Sequence, residues 1–272
     1  MRSVTISYKC TRILKGREFD MADPTPPLSA TQVRDFHLNG FTSVPGFLTP
    51  EETRILKKVY DEWILTERLD TKQNLQDLET EVPELRELDF RERGLELARQ
   101  LLGEEAHLRN ELFIYRPAGN ERGTPWHQDF AFAKPNVLGN ALNLWIPLQD
   151  TGVDGGCLWF IPRSHRQDII PHYNQWDISP SHQKAVNLSA DTTLFDEEQA
   201  VPVPLKAGDA SLHHCYTLHK AGPNRTDDTR RAFFLTYNGV SEERWLKNDH
   251  EYWPWIQERR DRENQEQDSS KK

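Results

Sequence analysis

Residues 124 to 129 read Thr-Pro-Trp-His-Gln-Asp, and a further histidine, His219, lies far downstream. On an extended strand, residues two apart point to the same face. His127 and Asp129 can then offer an imidazole and a carboxylate to one ion, with His219 as the best third ligand. Two histidines and one carboxylate on one face of an octahedron leave three positions open, the arrangement of non-haem Fe(II) oxygenases. His-x-Asp alone is common by chance. The plainer alternative for His127 and Asp129 is a hydrogen-bonded pair on a sheet.

These residues need a frame. Ser29 can cap a helix over about 30 to 38, and Gly40 can end it. Thr49-Pro50-Glu51-Glu52 combines a cap, a first-position proline and a capping-box glutamate. Ile55, Leu56, Val59, Tyr60 and Trp63 follow at helical spacing. Residues 67 to 85 carry little pattern and read as a loop. A third helix is expected over about 89 to 102, ending at Gly103. From Leu108 the period drops to two, which predicts a strand through Tyr115. Gly40 through Leu48 reads as a short strand and turn, and further strands are expected near 141–148, 157–161, 201–205, 210–216 and 230–238. Many short strands separated by turn residues argue a β-barrel or sandwich, with the helices as a buttress. The stretch from about 163 to 200 is expected to form a loop covering one mouth of the barrel.

Composition bounds the rest. The chain has 272 residues and is 36% hydrophobic, enough for one core, placed here at 29–260. A net charge of −9 argues against a nucleic-acid partner. No run of about 18 apolar residues occurs, so no membrane span is expected. Cys10, Cys157 and Cys215 make neither a disulfide framework nor a zinc-finger pattern, which points to an intracellular, cytoplasmic setting. Residues 1–28 and 261–272 read as disordered ends. Residues 1 to 20 are basic and loosely like an organelle transit peptide; the alternative is that Met21 is the true start. Asn187-Leu-Ser189 and Asn224-Arg-Thr226 fit the glycosylation pattern by chance.

Other residues compete for roles. His213 and His214 are consecutive on an expected strand, so only one can face the site, the other lying outside. Arg230 and Arg231 face opposite sides for the same reason. Trp126, Phe130, Phe132, Trp159 and Tyr237 are candidates for a substrate pocket, with plain core as the alternative.

Taken together, His127-Gln128-Asp129, Trp145, Gly156-Cys-Leu-Trp-Phe-Ile-Pro162 with Ser164-His165, Gly208-Asp209, and His219 through Pro223-Asn224 to Arg230 resemble the phytanoyl-CoA dioxygenase family. The resemblance runs from about Ser29 to about Tyr237. It implies a double-stranded β-helix (jelly-roll, cupin-like) barrel with flanking helices, Fe(II) as metal, and 2-oxoglutarate and dioxygen as co-substrates. Ascorbate would be supportive in vitro. It implies His127, Asp129 and His219 as iron ligands, Arg230 as the 2-oxoglutarate-binding arginine, and Trp145 as lining for the cofactor pocket. Family members often carry a hydroxyl residue two after the distal histidine; here that position is Ala221, so another donor is needed, with Asn110 as the candidate. In related halogenases a small residue replaces this carboxylate, so the presence of Asp129 argues against halogenation; hydroxylation of a small organic substrate is the outcome expected of the family resemblance. Physical chemistry supports the arginine: a guanidinium stays charged when buried and grips a carboxylate through two hydrogen bonds. A metal hydrolase using the same His/Asp/His set and a non-catalytic cupin-like binding or sensing protein are the rivals.

Overall fold

The computed structural model describes residues 27–64, 85–86, 88–132, 140–167, 169–175 and 187–239. The expected N-terminal extension before residue 27, the choice between Met1 and Met21, the 67–84 loop, the boundary at 260 and the tail all lie outside the described residues.

Three helices come first. Helix α1 (Ala30–Asn39) starts at Ser29, whose hydroxyl accepts from Gln32 N–H while the Gln32 side chain accepts from Ser29 N–H. That reciprocal pair satisfies two backbone donors that the first turn leaves free. Gly40 ends the helix at φ +90°, where a Cβ would also collide with His165 and Thr217. Helix α2 (Pro50–Val59) has the expected Thr49/Glu52 capping box and runs on into a π turn, Tyr60–Ile64. Helix α3 (Phe90–Leu102) ends at Gly103. Gly94 gives it a bare face on which the Tyr237 ring rests, leaving no room for a Cβ.

The strands are β1 (Phe41–Val44), β2 (His107–Arg116), β3 (Thr124–His127), β4 (Ala141–Pro147), β5 (Leu158–Phe160), β6 (His172–Gln175), β7 (Asn187–Ala190), β8 (Val201–Val203), β9 (Ala210–His214), β10 (His219–Ala221) and β11 (Arg230–Asn238). They form a five-stranded sheet in the order β1-β9-β4-β11-β2 and a four-stranded sheet in the order β3-β10-β5-β8. All pairings are antiparallel. The two sheets face each other as a double-stranded β-helix, the fold class expected. The segment expected to be a loop over the mouth contains a hairpin instead, β6 with β7. It covers the outer face of the smaller sheet, where Ala190 packs with Trp126, Ile161 and Leu218.

Strand alternation gives the larger sheet two different faces. Phe113, Leu142, Leu144, Ile146, Leu212, Phe233, Leu235 and Tyr237 form the main core with Phe36, Leu56, Tyr60, Phe90 and Leu97 of the helices. The opposite face carries Trp145, Ala232 and Phe234, which meet Leu158, Phe160, Val203 and Ala221 across the barrel interior. On β2, Glu111 and Phe113 are buried against the helices, whereas their inward neighbours Asn110, Leu112 and Ile114 stay partly exposed.

Arg231 lies on the helix side, as alternation requires, yet it is not solvated. It is 7% exposed, 2.7 Å from Asp61 and 3.2 Å from Asp228, and it donates to the Thr229 carbonyl. Arg231→Ala is therefore expected to destabilise the fold by roughly 2 kcal/mol. This is less than the roughly 3–5 kcal/mol for breaking a fully buried pair, because both carboxylates remain exposed enough to rehydrate. Urea unfolding of the variant checks this, and an unchanged midpoint would refute it.

Candidate active site

His127 ends β3, and His219 begins β10. The two are direct partners in the β3–β10 ladder, with ring centroids 4.1 Å apart. Asp129 is not on the strand with His127, as the two-residue spacing suggested. It opens a 3-10 turn, Asp129–Phe132, that bends the chain back toward both histidines. Gln128 holds this bend. It is fully buried, its N–H donates to His172 Nε2, its side-chain carbonyl accepts from Ile170 N–H, and its amide donates to the Tyr216 carbonyl. The reason the carboxylate arrives is thus the turn and its anchors, not strand alternation.

The result is a set of three ligand atoms from His127, Asp129 and His219, all within 4.8 Å of one another. Asp129 lies 3.5 Å from His127 Nε2 and 3.6 Å from His219 Nε2. Each histidine has its Nδ1 against a backbone carbonyl, Pro125 at 2.8 Å and Thr217 at 2.9 Å. A carbonyl accepts only from an N–H, so both rings carry the proton on Nδ1 and present a bare Nε2 lone pair to the site. Burial, then the neighbouring His127 charge, push His219 well below its usual range, which keeps it neutral. For Asp129, burial acts to raise the pKa but is outweighed by the imidazoles that surround it, first His219, then His127 and His213, whenever those rings are protonated toward it. The net effect holds it well below the usual carboxylate range. A divalent metal takes its imidazole ligands through a bare ring nitrogen and its carboxylate ligand ionised.

Two residues of the larger sheet grip Asp129 from behind, and the motifs did not single them out for this. His213 Nε2 lies 3.0 Å from Asp129 Oδ2, and Asn143 Nδ2 donates to the same oxygen. They are cross-strand partners on β9 and β4. The available signal was positional: Asn143 is two residues before Trp145 on a strand, hence on the same face. Of the consecutive histidines, His213 faces the site. His214 lies on the other face, beside Phe36 and His165, where burial and the neighbouring histidines push it down to about 3.

Arg230 begins β11 and points into the barrel. It is 2% exposed, stacks 5.4 Å from the Trp145 ring, and its Nε and Nη1 are buried without a hydrogen-bond partner among the described residues. Burial, then the positive charge of Arg116, push it down to about 9. The groups that pull the other way, Tyr60 and Cys157, are both held neutral at pH 7 by their own raised values. A buried guanidinium with free donors and no anion is a costly arrangement in isolation and a fitting one for a carboxylate. Trp145, 3% exposed, forms one wall beside it.

Asn110 lies in the row Asn110–Thr236–Asn143–His213. It is six residues from Arg116, the partner of Arg230, a distance on the order of 20 Å along a strand. Asn110 is thus level with the metal-ligand end, away from Arg230. The aromatic candidates for a pocket are core. Trp126 packs on the outside of the smaller sheet with Phe195, and Trp159 joins that cluster. Phe130 is buried against Tyr216, and Tyr237 is sealed under α3, donating to the Arg91 carbonyl. The Phe132 side chain lies outside the described residues. Asn224 is fully buried and donates to the Arg116, Pro117 and Asp228 carbonyls, so its sequon cannot carry a sugar.

The chain is 29% identical over 142 residues to phytanoyl-CoA dioxygenase domain-containing protein 1 of Danio rerio, covering 50% of this chain and 48% of that protein. The chain spans about half the length, or less, of the first curated relatives it matches. It is 26% identical over 229 residues to a methylphosphonate hydroxylase of Gimesia maris, covering 79% of this chain and 82% of that one. Among solved structures, EvdO2 from Micromonospora carbonacea var. aurantiaca complexed with 2-oxoglutarate superposes with a TM-score of 0.67 at 27% identity, covering 79% of this chain and 93% of EvdO2. The family model for phytanoyl-CoA dioxygenase (PhyH) matches residues 36–232, a span that includes His127, Asp129, His219 and Arg230, and the chain belongs to that family.

Proposed function

We propose that this protein is an Fe(II)- and 2-oxoglutarate-dependent dioxygenase that hydroxylates a C–H bond of a small organic substrate. The observation that carries the reading is one barrel interior holding both a compact His/Asp/His set and a buried arginine whose Nε and Nη1 have no hydrogen-bond partner among the described residues. A metal hydrolase would have no use for that arginine. When bound, the metal and co-substrate supply the redox chemistry: O2, 2-oxoglutarate and R–H give succinate, CO2 and R–OH. His127 and His219 would hold the iron through Nε2, with their Nδ1 protons fixed by Pro125 and Thr217. Asp129 would supply the carboxylate, kept ionised and oriented by Asn143 and His213. Arg230 would pair with the far carboxylate of 2-oxoglutarate, with Trp145 closing one side and excluding water. Asn110, level with the metal end, would donate to the near carboxylate or to substrate.

The substrate would enter beside Leu112, Ile114 and Phe234, the inward residues of β2 and β11 that remain partly exposed. Among the described residues, no helix is long and apolar enough to cross a membrane. Among the described residues, Cys157 and Cys215 are buried and form no disulfide with one another, in keeping with a reducing, cytoplasmic compartment. The test is a co-substrate assay with iron, ascorbate, 2-oxoglutarate and a panel of small acids, phosphonates and amino-acid derivatives, with succinate measured. Substrate-stimulated succinate is expected. Absence of succinate together with intact 2-oxoglutarate binding would replace the enzyme by a binding or sensing protein.

A further inference from the structure

Resting on the 2-oxoglutarate reading above, we infer that the Thr124 hydroxyl, oriented by Arg116, is the second donor to the far carboxylate of the co-substrate. Four residues converge at the Arg230 end of the barrel. Arg116 is the β2 partner of Arg230 in the ladder, and Thr124 is the β3 partner of Ala221. A register irregularity lies between His219 and Ala221, so the three steps from His127 to Thr124 on β3 span the same stretch as the two steps from His219 to Ala221 on β10. This shift brings Thr124, rather than Pro125, opposite Ala221. Ala221 itself faces the interior, packed with Trp145 and Ala232.

Arg116 does not compete for the ligand. It is 8% exposed, and its guanidinium is committed to the Ala221 and Gly222 carbonyls and to Thr124 Oγ1, the last at 2.6 Å. Its charge nonetheless reaches Arg230. Two buried guanidinium groups beside one another favour an anion between or beside them. A guanidinium only donates, so Thr124 Oγ1 is the acceptor in that contact. The hydroxyl proton must then point elsewhere, to another acceptor. Thr124 is only partly buried, and its ladder partner Ala221 lies in the interior cluster, so the register turns Thr124 to the same face. Ala221 leaves the space opposite it without a polar atom. A carboxylate held by the free Nε and Nη1 of Arg230 would meet that proton. Thr124 is thus a co-substrate-binding residue, and Arg116 is a positioning residue that acts through it.

The test measures binding, not turnover, with the full chain loaded with redox-inert Mn(II) and titrated in a calorimeter. Thr124→Val preserves shape and removes the hydroxyl. It should weaken 2-oxoglutarate about tenfold, equivalent to about 1.4 kcal/mol. Binding of 2-oxobutyrate, which has the 2-oxo acid but no far carboxylate, should be unchanged. Thr124→Val combined with Ala221→Ser should recover most of the loss, because the register places the new hydroxyl opposite the old one. Wild-type 2-oxoglutarate affinity in Thr124→Val, alongside a large loss in Arg230→Ala, would overturn the inference and leave the oxoglutarate reading standing. Wild-type affinity in both variants would overturn both. Equal weakening of the two acids by Thr124→Val would also overturn the inference, since the loss would then be one of site shape.

Discussion

His219→Ala should abolish specific binding of Fe(II) or Mn(II) and leave the protein folded. The side chain supplies one of three ligand atoms, and its Nδ1 is already spent on the Thr217 carbonyl. With two ligands left, the affinity loss should exceed the roughly 10–100-fold typical of disturbing a residue behind a ligand. His127→Ala and Asp129→Ala should behave alike. The fold should survive because its main core lies on the other face of the larger sheet, among the helices. His213→Phe supplies the comparison: it removes a partner of Asp129 but no member of the triad, and should fall within that 10–100-fold range. Calorimetric metal titration and urea unfolding of the same samples separate the two effects. Full metal affinity in His219→Ala with none in His213→Phe would mean that the third ligand is misassigned.

Arg230→Ala should raise the 2-oxoglutarate concentration needed for half-maximal succinate formation at least about tenfold, with metal affinity nearly unchanged. Truncating one partner of a buried charge pair costs roughly 2–5 kcal/mol, because the remaining charge is left unpaired, and about 1.4 kcal/mol is already tenfold. Arg230→Lys should rescue only in part, since an ammonium cannot reproduce the two-pronged contact or the stacking on Trp145. Arg231→Ala, whatever it costs in stability, should keep the wild-type 2-oxoglutarate requirement in the folded protein. A normal curve for Arg230→Ala with a collapsed one for Arg231→Ala would place the wrong arginine in the barrel.

Local rules made the helices legible. Ser29, Thr49-Pro50 and Glu52 cap where expected because capping depends on neighbours within one turn. Strand β11 was legible from end to end because its alternation persists over nine residues, Arg230–Asn238. The site was legible as residue types, through His127, Asp129, His219 and Arg230, but the geometry that brings Asp129 in was not. That geometry depends on Gln128 bonding to His172, Ile170 and Tyr216, contacts between segments far apart in the chain. The β6–β7 hairpin went unseen because its strands are four residues each and cover a small sheet rather than a large core. Plain core is what Trp126, Phe130, Trp159 and Tyr237 turn out to be, because large rings fill whichever face is dry, and for Tyr237 that face belongs to α3.

The two faces of the larger sheet also bear on how such a protein can change over evolutionary time. Along Asn110–Arg116 of β2 and Arg230–Thr236 of β11, alternate residues face the helix-packed core and the barrel interior. Substitutions at Leu112, Ile114, Phe234 or Thr236 alter what the cavity admits while their neighbours Phe113, Phe233 and Leu235 keep the chain folded. Selection for a new substrate and selection against unfolding therefore act on interleaved but separate sets of positions. A scaffold wired this way can drift through substrate space at little cost in stability.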